Sequence, residues 1–389
     1  MLNKSLLLTE VQEFIQSYSE DLSKLAFSGS PFVDISTQEL MQQIESRRKI
    51  EKKLPTWFSK QGVFYPPKLN LEQTSSEITA QYKASLLTGK TIADITGGFG
   101  IDSFYFSQTF KTVHHFEINQ ELSEIAQHNF KALDKTNIQC FAQDGLKAVL
   151  NNKYDVIYAD PSRRHDSKGK VFFLNDCVPN IPENILSLLE NCNTLLLKTS
   201  PMLDISIGLQ ELKQVHEIHI IAVENDVKEL LWLVKKGVSG NPIVKTINFT
   251  KSTAENFEFI WGTNATASYQ QPQKYLYEPN AAIMKSGAFE KISENFKLNK
   301  LEKHTHLYTS NELSPFPGRR FLIEKVVPYS KAEIRAALTF NKANIAIRNF
   351  PESVAVLRKK WKIKDGGDKY LYFVTSSTGK KVVLFCSKT

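Results

Sequence analysis

The chain contains few cysteines, and they follow no pattern. Four occur in 389 residues, at positions 140, 177, 192 and 386, and none forms a C-x-x-C pair. This spacing excludes a disulfide scaffold, and it predicts reduced, mostly structural thiols in a cytoplasmic protein. His114 and His115 lie in a predicted strand without a nearby Cys or Asp ligand, so no metal site is expected.

Long apolar runs are also absent. No run approaches the ~20 residues of a membrane span, and Leu6-Leu7-Leu8 is too short for the core of a signal peptide. With 41% hydrophobic and 23% charged residues, the composition is that of a soluble globular protein. The length predicts two or three domains.

A net positive charge is absent from most of the chain and is found only at its end. Residues 319–389 hold sixteen Lys and Arg against five Asp and Glu, a net charge of +11; the whole chain carries +8, so residues 1–318 sum to −3. Basic groups neutralise phosphates, so this end predicts contact with nucleic acid. The alternative is a charged surface that only keeps the protein soluble. For Trp361 itself, a place in the core is favoured.

The most informative segment runs from Thr91 to Asp102. It reads as a buried strand, then a glycine-rich turn (Thr96-Gly97-Gly98-Phe99-Gly100), then the start of a helix. Gly98 and Gly100 adopt positive φ without strain and have no Cβ, so the backbone at this turn can approach a ligand closely. A helix that starts just after the turn offers free N–H groups.

Three further predicted strands end in acids, at Glu117, Asp144 and Asp160. Four strands that each end in a glycine turn or an acid predict a nucleotide-like ligand across the carboxyl ends of a parallel sheet. The predicted fold class is therefore α/β, with a Rossmann-like core, a helical N-terminal region and small α+β modules at the C-terminal end. The order of these strand ends resembles that of the class I S-adenosylmethionine (SAM)-dependent methyltransferases.

The turn departs from the dinucleotide fingerprint, because no third glycine follows Gly98 and Gly100 at the required spacing. SAM carries no phosphate, so it does not need that tight fit. A carboxylate at Glu117 can accept both ribose hydroxyl protons, and Asp144 is placed to meet the adenine amine. Taken singly, Glu117 fits a solvated strand end better than a ligand site, and Asp144-Gly145 fits a turn better. The ordered set of strand ends favours a SAM site.

The end of the fourth strand is predicted to carry the chemistry. In SAM enzymes that methylate base amines, this strand ends in Asn/Asp-Pro-Pro-Tyr/Phe. Here the segment reads Asp160-Pro161-Ser162-Arg163-Arg164, without the second proline or the aromatic residue. The departure weakens the base-amine hypothesis and leaves a ring nitrogen, a hydroxyl or another group as acceptor. Arg163 and Arg164 either clamp a phosphate or carboxylate of the substrate or are exposed loop charges.

The chain divides into four predicted segments: a helical N-terminal region (1–88), an α/β core (89–265), a small module (273–318) and a terminal β-α-β-α-β-β module (319–389). Within the core, a helix is expected over 226–236 and an antiparallel strand pair over 243–249 and 257–261. Capping-box patterns predict that Thr9 and Ser36 each cap a helix.

Four motifs occur together along the chain. They are Gln73-x-Ser75-Ser76-Glu77-x-x-Ala80-x-Tyr82-Lys83, Asp160 to Arg164, Lys198-Thr199-Ser200-Pro201-Met202-Leu203-Asp204, and Lys364-Asp365-Gly366-Gly367-Asp368. The combination resembles a bacterial family of class I methyltransferases with a small ferredoxin-like module, here 273–318, and a THUMP-like domain, here 319–389. THUMP domains bind RNA in RNA-modifying enzymes, so the resemblance implies an RNA substrate, with tRNA favoured. Thr96 stands where many members of the superfamily have the first glycine.

The resemblance implies direct in-line transfer of the sulfonium methyl group to a nucleophile on RNA. Asp160 would hold or deprotonate the acceptor, and Lys198 either flanks the same crevice or belongs to a structural loop. The predicted catalytic residues are Asp160, Pro161, Arg163 and Lys198. The predicted SAM-binding residues are Gln73, Ser76, Lys83, Asp94, Thr96, Gly97, Gly98, Gly100, Asp102, Glu117, Asn119, Asp144, Gly145 and Asp160.

Two other classes stay open, because a fold does not fix a function. A nicotinamide-dependent oxidoreductase on a similar scaffold is disfavoured by the missing third glycine and by Asp160-Pro161. A non-catalytic RNA-binding or assembly protein with a relic SAM pocket is disfavoured by the complete set of acids at positions 94, 117, 144 and 160. Neither a membrane nor a metal ion is expected among the partners.

Overall fold

The structure is a computed structural model that describes residues 3–66, 71–72, 74–163 and 173–389. The chain splits into two compact units. The first comprises Met1–His216 and Leu231–Ser239, and the second comprises Glu217–Leu230 and Gly240–Thr389. Among the described residues, no helix is long and apolar enough to cross a membrane. All four cysteines are free thiols.

The first unit begins with short helices. They are α1 (Thr9–Ser17), α2 (Leu22–Ser28), α3 (Thr37–Ile50), α4 (Pro55–Phe58) and α5 (Glu77–Ser85). The capping box at Ser36 is confirmed, since its side chain accepts from the Glu39 N–H and the Glu39 side chain accepts from the Ser36 N–H. The predicted cap at Thr9 is wrong. Leu8 occupies the N-cap position without a side-chain hydrogen bond, and Thr9 is already helical.

A parallel sheet forms the centre of this unit. Its strands and helices are β1 (Thr91–Asp94), α6 (Ile101–Phe106), β2 (Thr112–Phe116), α7 (Gln120–Ala132), β3 (Ile138–Phe141), α8 (Gly145–Val149), β4 (Tyr154–Ala159), α9 (Ile181–Asn191), β7 (Cys192–Thr199) and α10 (Ile205–Glu211), with a small ribbon of β5 (Ser162–Arg163) and β6 (Cys177–Val178) between β4 and α9. The strand order β3-β2-β1-β4-β7 is parallel throughout. Their carboxyl ends therefore meet at one edge, as the Rossmann-like prediction requires.

One predicted helix is a strand. The segment 226–236 forms β9 (Asp226–Lys235), whose second half belongs to the first unit. The run from Leu230 to Val234 is buried at every position, at most 5% exposed. Side chains on both faces of a strand are buried when the sheet is covered on both sides, and the resulting continuous apolar run has no period that separates it from a helix. Within this buried run of β9, the Trp232 indole N–H donates to the Thr199 hydroxyl on β7 at 3.0 Å.

The second unit contains β8 (Val215–Val223), which begins just before the unit boundary, together with β10 (Ile243–Phe249) and β11 (Ala254–Ile260). β8 and β10 are parallel, and β10 and β11 form the predicted antiparallel pair.

A seven-stranded sheet occupies the rest of the second unit. Its elements are β12 (Tyr275–Pro279), α11 (Ala281–Ser286), α12 (Phe289–Phe296), β13 (Asn299–Lys300), β14 (Tyr308–Ser310), β15 (Gly318–Pro328), α13 (Lys331–Ala337), β16 (Asn344–Arg348), α14 (Val354–Trp361), β17 (Lys369–Thr375) and β18 (Lys381–Lys388). The strand order is β13-β14-β12-β15-β18-β17-β16. The last six elements have the predicted order β-α-β-α-β-β, and Trp361 lies in their core, 8% exposed.

A buried carboxylate links both halves of this sheet. Glu278 on β12 is 3% exposed. It accepts from the Arg319 Nε at 2.7 Å, from the Arg348 Nη2 at 2.5 Å and from the Tyr372 hydroxyl at 2.8 Å. Since these donors come from β15, β16 and β17, one carboxylate ties four strands together.

Candidate functional site

The glycine turn after β1 is built from backbone hydrogen bonds. The Gly97 N–H donates to the Phe116 carbonyl at 2.8 Å, and the Gly100 N–H donates to the Gly97 carbonyl at 2.9 Å. Gly98 and Gly100 have φ of +55° and +91°, a region that favours glycine. A Cβ on Gly100 would lie 2.4 Å from the ring of Phe130. Both glycines are therefore required by conformation, and Gly100 also by space.

Glu117 joins this turn to the end of β2. Its Oε2 accepts from the Gly98 N–H at 2.9 Å, and its Oε1 accepts from the Asn119 N–H at 2.8 Å. Glu117 and the glycine turn, which the sequence suggested separately, are thus in direct contact. Ile118, the next residue, exposes 76% of its surface at the same edge.

A buried histidine lies beneath the turn. A Cβ on Gly97 would come within 2.3 Å of the His115 Nε2, so the imidazole packs directly against this glycine. Burial lowers the pKa of His115 to about 4. The ring is therefore neutral at pH 7 and supports the turn without adding charge.

Asp94 at the end of β1 is fully buried. It accepts from the Ser103 hydroxyl at 2.7 Å and from the Thr96 N–H at 3.2 Å. Burial raises the pKa of Asp94 to about 7, and the neighbouring Asp102 and Asp160 act in the same direction. Asp94 holds the turn and the start of α6 together.

Asp102 belongs to a second buried cluster. Its carboxylate lies 3.1 Å from the Lys83 ammonium and accepts from the Ser75 and Tyr158 hydroxyls at 2.9 and 2.8 Å. Burial alone would raise the pKa of Asp102, but the Lys83 and Lys198 ammonium groups lower it below its usual value. Lys83 is itself 0% exposed and donates to the Ser75 hydroxyl at 2.8 Å. Both predicted residues thus lie together beside the turn and pair with each other.

Asp160 and Lys198 meet across neighbouring strands. β4 and β7 are in register at Ala159 and Leu197, so the residues that follow are side by side. The Lys198 ammonium bonds the Asp160 carboxylate, and the Asp160 N–H donates to the Thr96 hydroxyl at 2.7 Å. The Asp160 side chain is 32% exposed, whereas that of Lys198 is 11% exposed. The pair presents a carboxylate, already neutralised by an ammonium, next to the glycine turn.

Four predicted cofactor residues lie at helix starts. Ser76, Asn119 and Asp144 are N-caps that accept from the N–H groups of Thr79, Leu122 and Lys147. Gly145 begins α8, where a Cβ would lie 2.5 Å from the Ile95 carbonyl oxygen and 2.8 Å from the Phe116 Cβ. Three of these residues lie at the carboxyl edge of the sheet: Asn119, Asp144 and Gly145. The Ser76 hydroxyl caps the start of α5.

The remaining predicted site residues lie near the end of β4 or outside the described residues. Pro161 follows Asp160 and is partly exposed, and Arg163 lies in β5. Gln73 and Arg164 lie outside the described residues. Among the described residues, no group of three or more His, Cys, Asp and Glu is arranged to hold a metal ion.

Sequence reasoning assigned no role to three partners in these clusters: Ser75, Ser103 and Tyr158. Ser103 is a buried hydroxyl residue in α6, and Tyr158 is a buried hydroxyl residue near the end of β4. A buried hydroxyl requires a partner, so each was a detectable signal for a nearby carboxylate.

The fold and the edge geometry define a Rossmann-like protein of the class I methyltransferase type. A putative methyltransferase from Porphyromonas gingivalis W83 superposes with a TM-score of 0.90 at 30% sequence identity, over 100% of this chain and 99% of that one. A ferredoxin-like domain model matches residues 275–317, and a THUMP domain-like model matches residues 318–388. The chain belongs to this bacterial family of class I methyltransferases with a ferredoxin-like module and a THUMP-like domain.

Other solved structures match less of the chain. The putative methyltransferase yhhF from Escherichia coli has 16% identity and a TM-score of 0.30, covering 41% of this chain and 84% of its own. SMU.1697c, a putative methyltransferase from Streptococcus mutans in complex with SAH, has 15% identity and a TM-score of 0.29, covering 41% and 96%. A search of the curated proteins found no match.

Proposed function

We propose that the protein is a SAM-dependent methyltransferase that acts on RNA, with tRNA as the favoured substrate. One observation carries the proposal. Glu117 bonds the glycine turn at one side of the sheet edge, and the Asp160–Lys198 pair stands beside the same turn through Thr96. This adjacency supports a ribose and an acceptor group bound side by side at the carboxyl edge.

The residues at this edge fit SAM. A Cβ on Gly98 would meet only the Thr96 carbonyl oxygen, at 3.8 Å, so the backbone there is open to the ligand's methionine portion. Glu117 accepts hydrogen bonds from the ribose hydroxyls, and Asp144 accepts from the adenine amine. Ile118, largely exposed beside Glu117, offers an apolar face to the adenine ring.

When bound, SAM supplies a methyl group on an electrophilic sulfonium. The protein's part is to align the acceptor and exclude water. Asp160 accepts a hydrogen bond from the acceptor N–H or O–H and thereby orients its lone pair. Because the Lys198 ammonium already bonds this carboxylate, Asp160 holds the acceptor more readily than it removes a full proton.

The RNA partner is supported by charge. The segment 319–389 carries a net charge of +11 on a chain whose other residues sum to −3. Basic side chains of this kind contact phosphates, and such binding weakens steeply with salt. The THUMP domain-like match covers the same residues.

The test is to incubate the purified protein with methyl-labelled SAM and total RNA, then digest the RNA and identify the labelled nucleoside. The expected result is label in one nucleoside of the tRNA fraction. Label in protein or DNA with none in RNA would overturn the RNA substrate, and SAM binding without any transfer would favour a relic pocket.

A further inference from the structure

The loop between α14 and β17 carries a motif that the SAM site does not use. It reads Lys364-Asp365-Gly366-Gly367-Asp368. Both glycines are left-handed, with φ of +93° and +84°. Two consecutive residues in this region favour glycine, since other side chains are strained there. The loop is therefore conformationally specified by its sequence.

A lysine from another segment lies on the glycine pair. A Cβ on Gly366 would be 3.2 Å from the Lys342 Cε and 3.7 Å from its Nζ, and one on Gly367 would be 3.5 Å from the Lys342 Cγ. The aliphatic part of Lys342 thus runs along the glycines. Its ammonium group lies at the surface of the loop, and the Lys342 side chain is exposed.

Backbone hydrogen bonds fix a second lysine next to the first. The Ala343 N–H donates to the Lys364 carbonyl at 3.0 Å, and the Lys364 N–H donates to the Asn341 carbonyl at 2.8 Å. Lys342 and Lys364 are paired in a parallel bridge. Both side chains are exposed, and so is that of Lys362, which precedes the buried Ile363.

The loop is braced by other groups, so the lysines need not hold it. The Arg358 guanidinium donates to the Ala343 carbonyl at 3.3 Å and bonds the Asp365 carboxylate. The Asn344 amide donates to the Gly367 carbonyl at 2.7 Å. Elsewhere in the domain Lys360 and Lys369 are paired with Glu352 and Glu324. Within the described chain, no carboxylate forms an ion pair with Lys342, Lys362 or Lys364.

We infer that Lys342, Lys362 and Lys364, the basic corner, bind the phosphate backbone of the RNA substrate. The inference rests on the proposed function. It names the residues of the segment 319–389, which carries a net charge of +11, that contact the RNA. Three exposed lysines stand on a braced scaffold, and the absence of side chains on the two glycines makes room for the aliphatic part of Lys342. Asp365 is occupied by Arg358, which leaves Asp368 as the other acid of the motif.

The experiment compares two double variants with equal charge change. Lys342→Gln/Lys364→Gln alters the basic corner. Lys380→Gln/Lys381→Gln alters exposed lysines at the opposite end of β17, seven residues away, or about 20 Å of strand. Binding of bulk bacterial tRNA to the full-length proteins is measured by fluorescence anisotropy at several salt concentrations. Thermal melts check that the variants fold like the wild type.

The expected result is a loss of about tenfold in tRNA affinity for the corner variant. The slope of log affinity against log salt should fall by roughly 1 to 2, because two phosphate contacts are lost. The control variant should change both quantities much less. Equal effects in the two variants would contradict the role of the basic corner in RNA binding. They would leave the proposal of an RNA substrate unaffected. Failure of the wild type to bind any RNA, with SAM binding intact, would overturn both.

Discussion

At the scale of the residue, each acid at the sheet edge already has a structural partner. Glu117 holds Gly98, Asp94 holds Ser103, and Asp102 is neutralised by Lys83. A buried or half-buried carboxylate must be paired or hydrogen-bonded to remain there. The same bonds fix the direction of each oxygen, so the site is arranged before any ligand arrives.

We predict that Glu117→Ala weakens SAM and S-adenosylhomocysteine binding by ~2–3 kcal/mol, since charge-assisted hydrogen bonds to the ribose are lost. Isothermal calorimetry measures the change. Glu121→Ala, an exposed acid on α7, is the matched control and should bind like the wild type. Equal affinity in Glu117→Ala and the wild type would remove Glu117 from the site.

The pKa of Asp94 gives a pH prediction. Because this pKa is about 7 in the folded protein, against the ordinary aspartate value of 3.8, the folded state holds the proton more tightly than the unfolded chain. The stabilisation is complete below about pH 4 and is lost as pH rises to about 7. Over this window, the free energy of unfolding of the wild type should fall by up to roughly 4 kcal/mol relative to Asp94→Asn.

Urea denaturation of both proteins at pH 4.5, 6 and 7.5 measures the difference. His115 titrates in the opposite direction over part of this window, since burial lowers its pKa to about 4, but it is present in both proteins and cancels in the comparison. Parallel pH profiles for the two proteins would show that Asp94 is ionised in the folded state at all these pH values.

At the scale of the element, the proposed acceptor site depends on two strand ends in register. β4 and β7 bring Asp160 and Lys198 together, and the turn after β1 adds Thr96. Carboxyl ends of parallel strands meet at one edge, so residues 38 positions apart in sequence form one site.

We predict that Asp160→Ala lowers methyl transfer by at least about 10²-fold, because the acceptor loses the group that orients it. SAM affinity should change little, since the proposed partner of Asp160 is the acceptor group. Single-turnover transfer and calorimetry on the same preparation separate the two effects. Unchanged turnover in the variant would show that the chemistry lies elsewhere.

Much of this edge could be predicted from the sequence. The order of glycine turn and strand-end acids depends on local patterns, and the parallel strands β1 to β4 formed as expected. The strand β9 could not be predicted, because a run buried on both faces has no period. The contact between Lys83 and Asp102 could not be predicted from the sequence either. Nineteen positions separate the two residues, and only the tertiary fold brings them together.

At the scale of the whole molecule, the C-terminal segments share one sheet. β12 pairs with β15 along five residue pairs, from Tyr275–Leu322 to Pro279–Gly318. Glu278 is bonded by Arg319, Arg348 and Tyr372 from the last segment. Residues 319–389 therefore share their sheet and its buried ion pairs with the segment that contains β12.

Deletion of residues 319–389 should therefore destabilise the segment that contains β12, because it exposes a strand edge and leaves Glu278 without its partners. Solubility and thermal melts of the truncated and full-length proteins measure this. In the full-length protein, Glu278→Ala should lower stability by about 1–3 kcal/mol. A soluble truncation with an unchanged melt, or a neutral Glu278→Ala, would show that the shared sheet contributes little.

The central claim is that the carboxyl edge of the first unit's sheet binds SAM. Calorimetric titration of the wild-type protein with SAM, S-adenosylhomocysteine and NADH tests it most directly. We predict saturable one-to-one binding of the two sulfur ligands and none of NADH, since the turn lacks the third glycine of the dinucleotide-binding fingerprint. Binding of NADH without binding of SAM would contradict it and would instead support a nicotinamide enzyme on this scaffold.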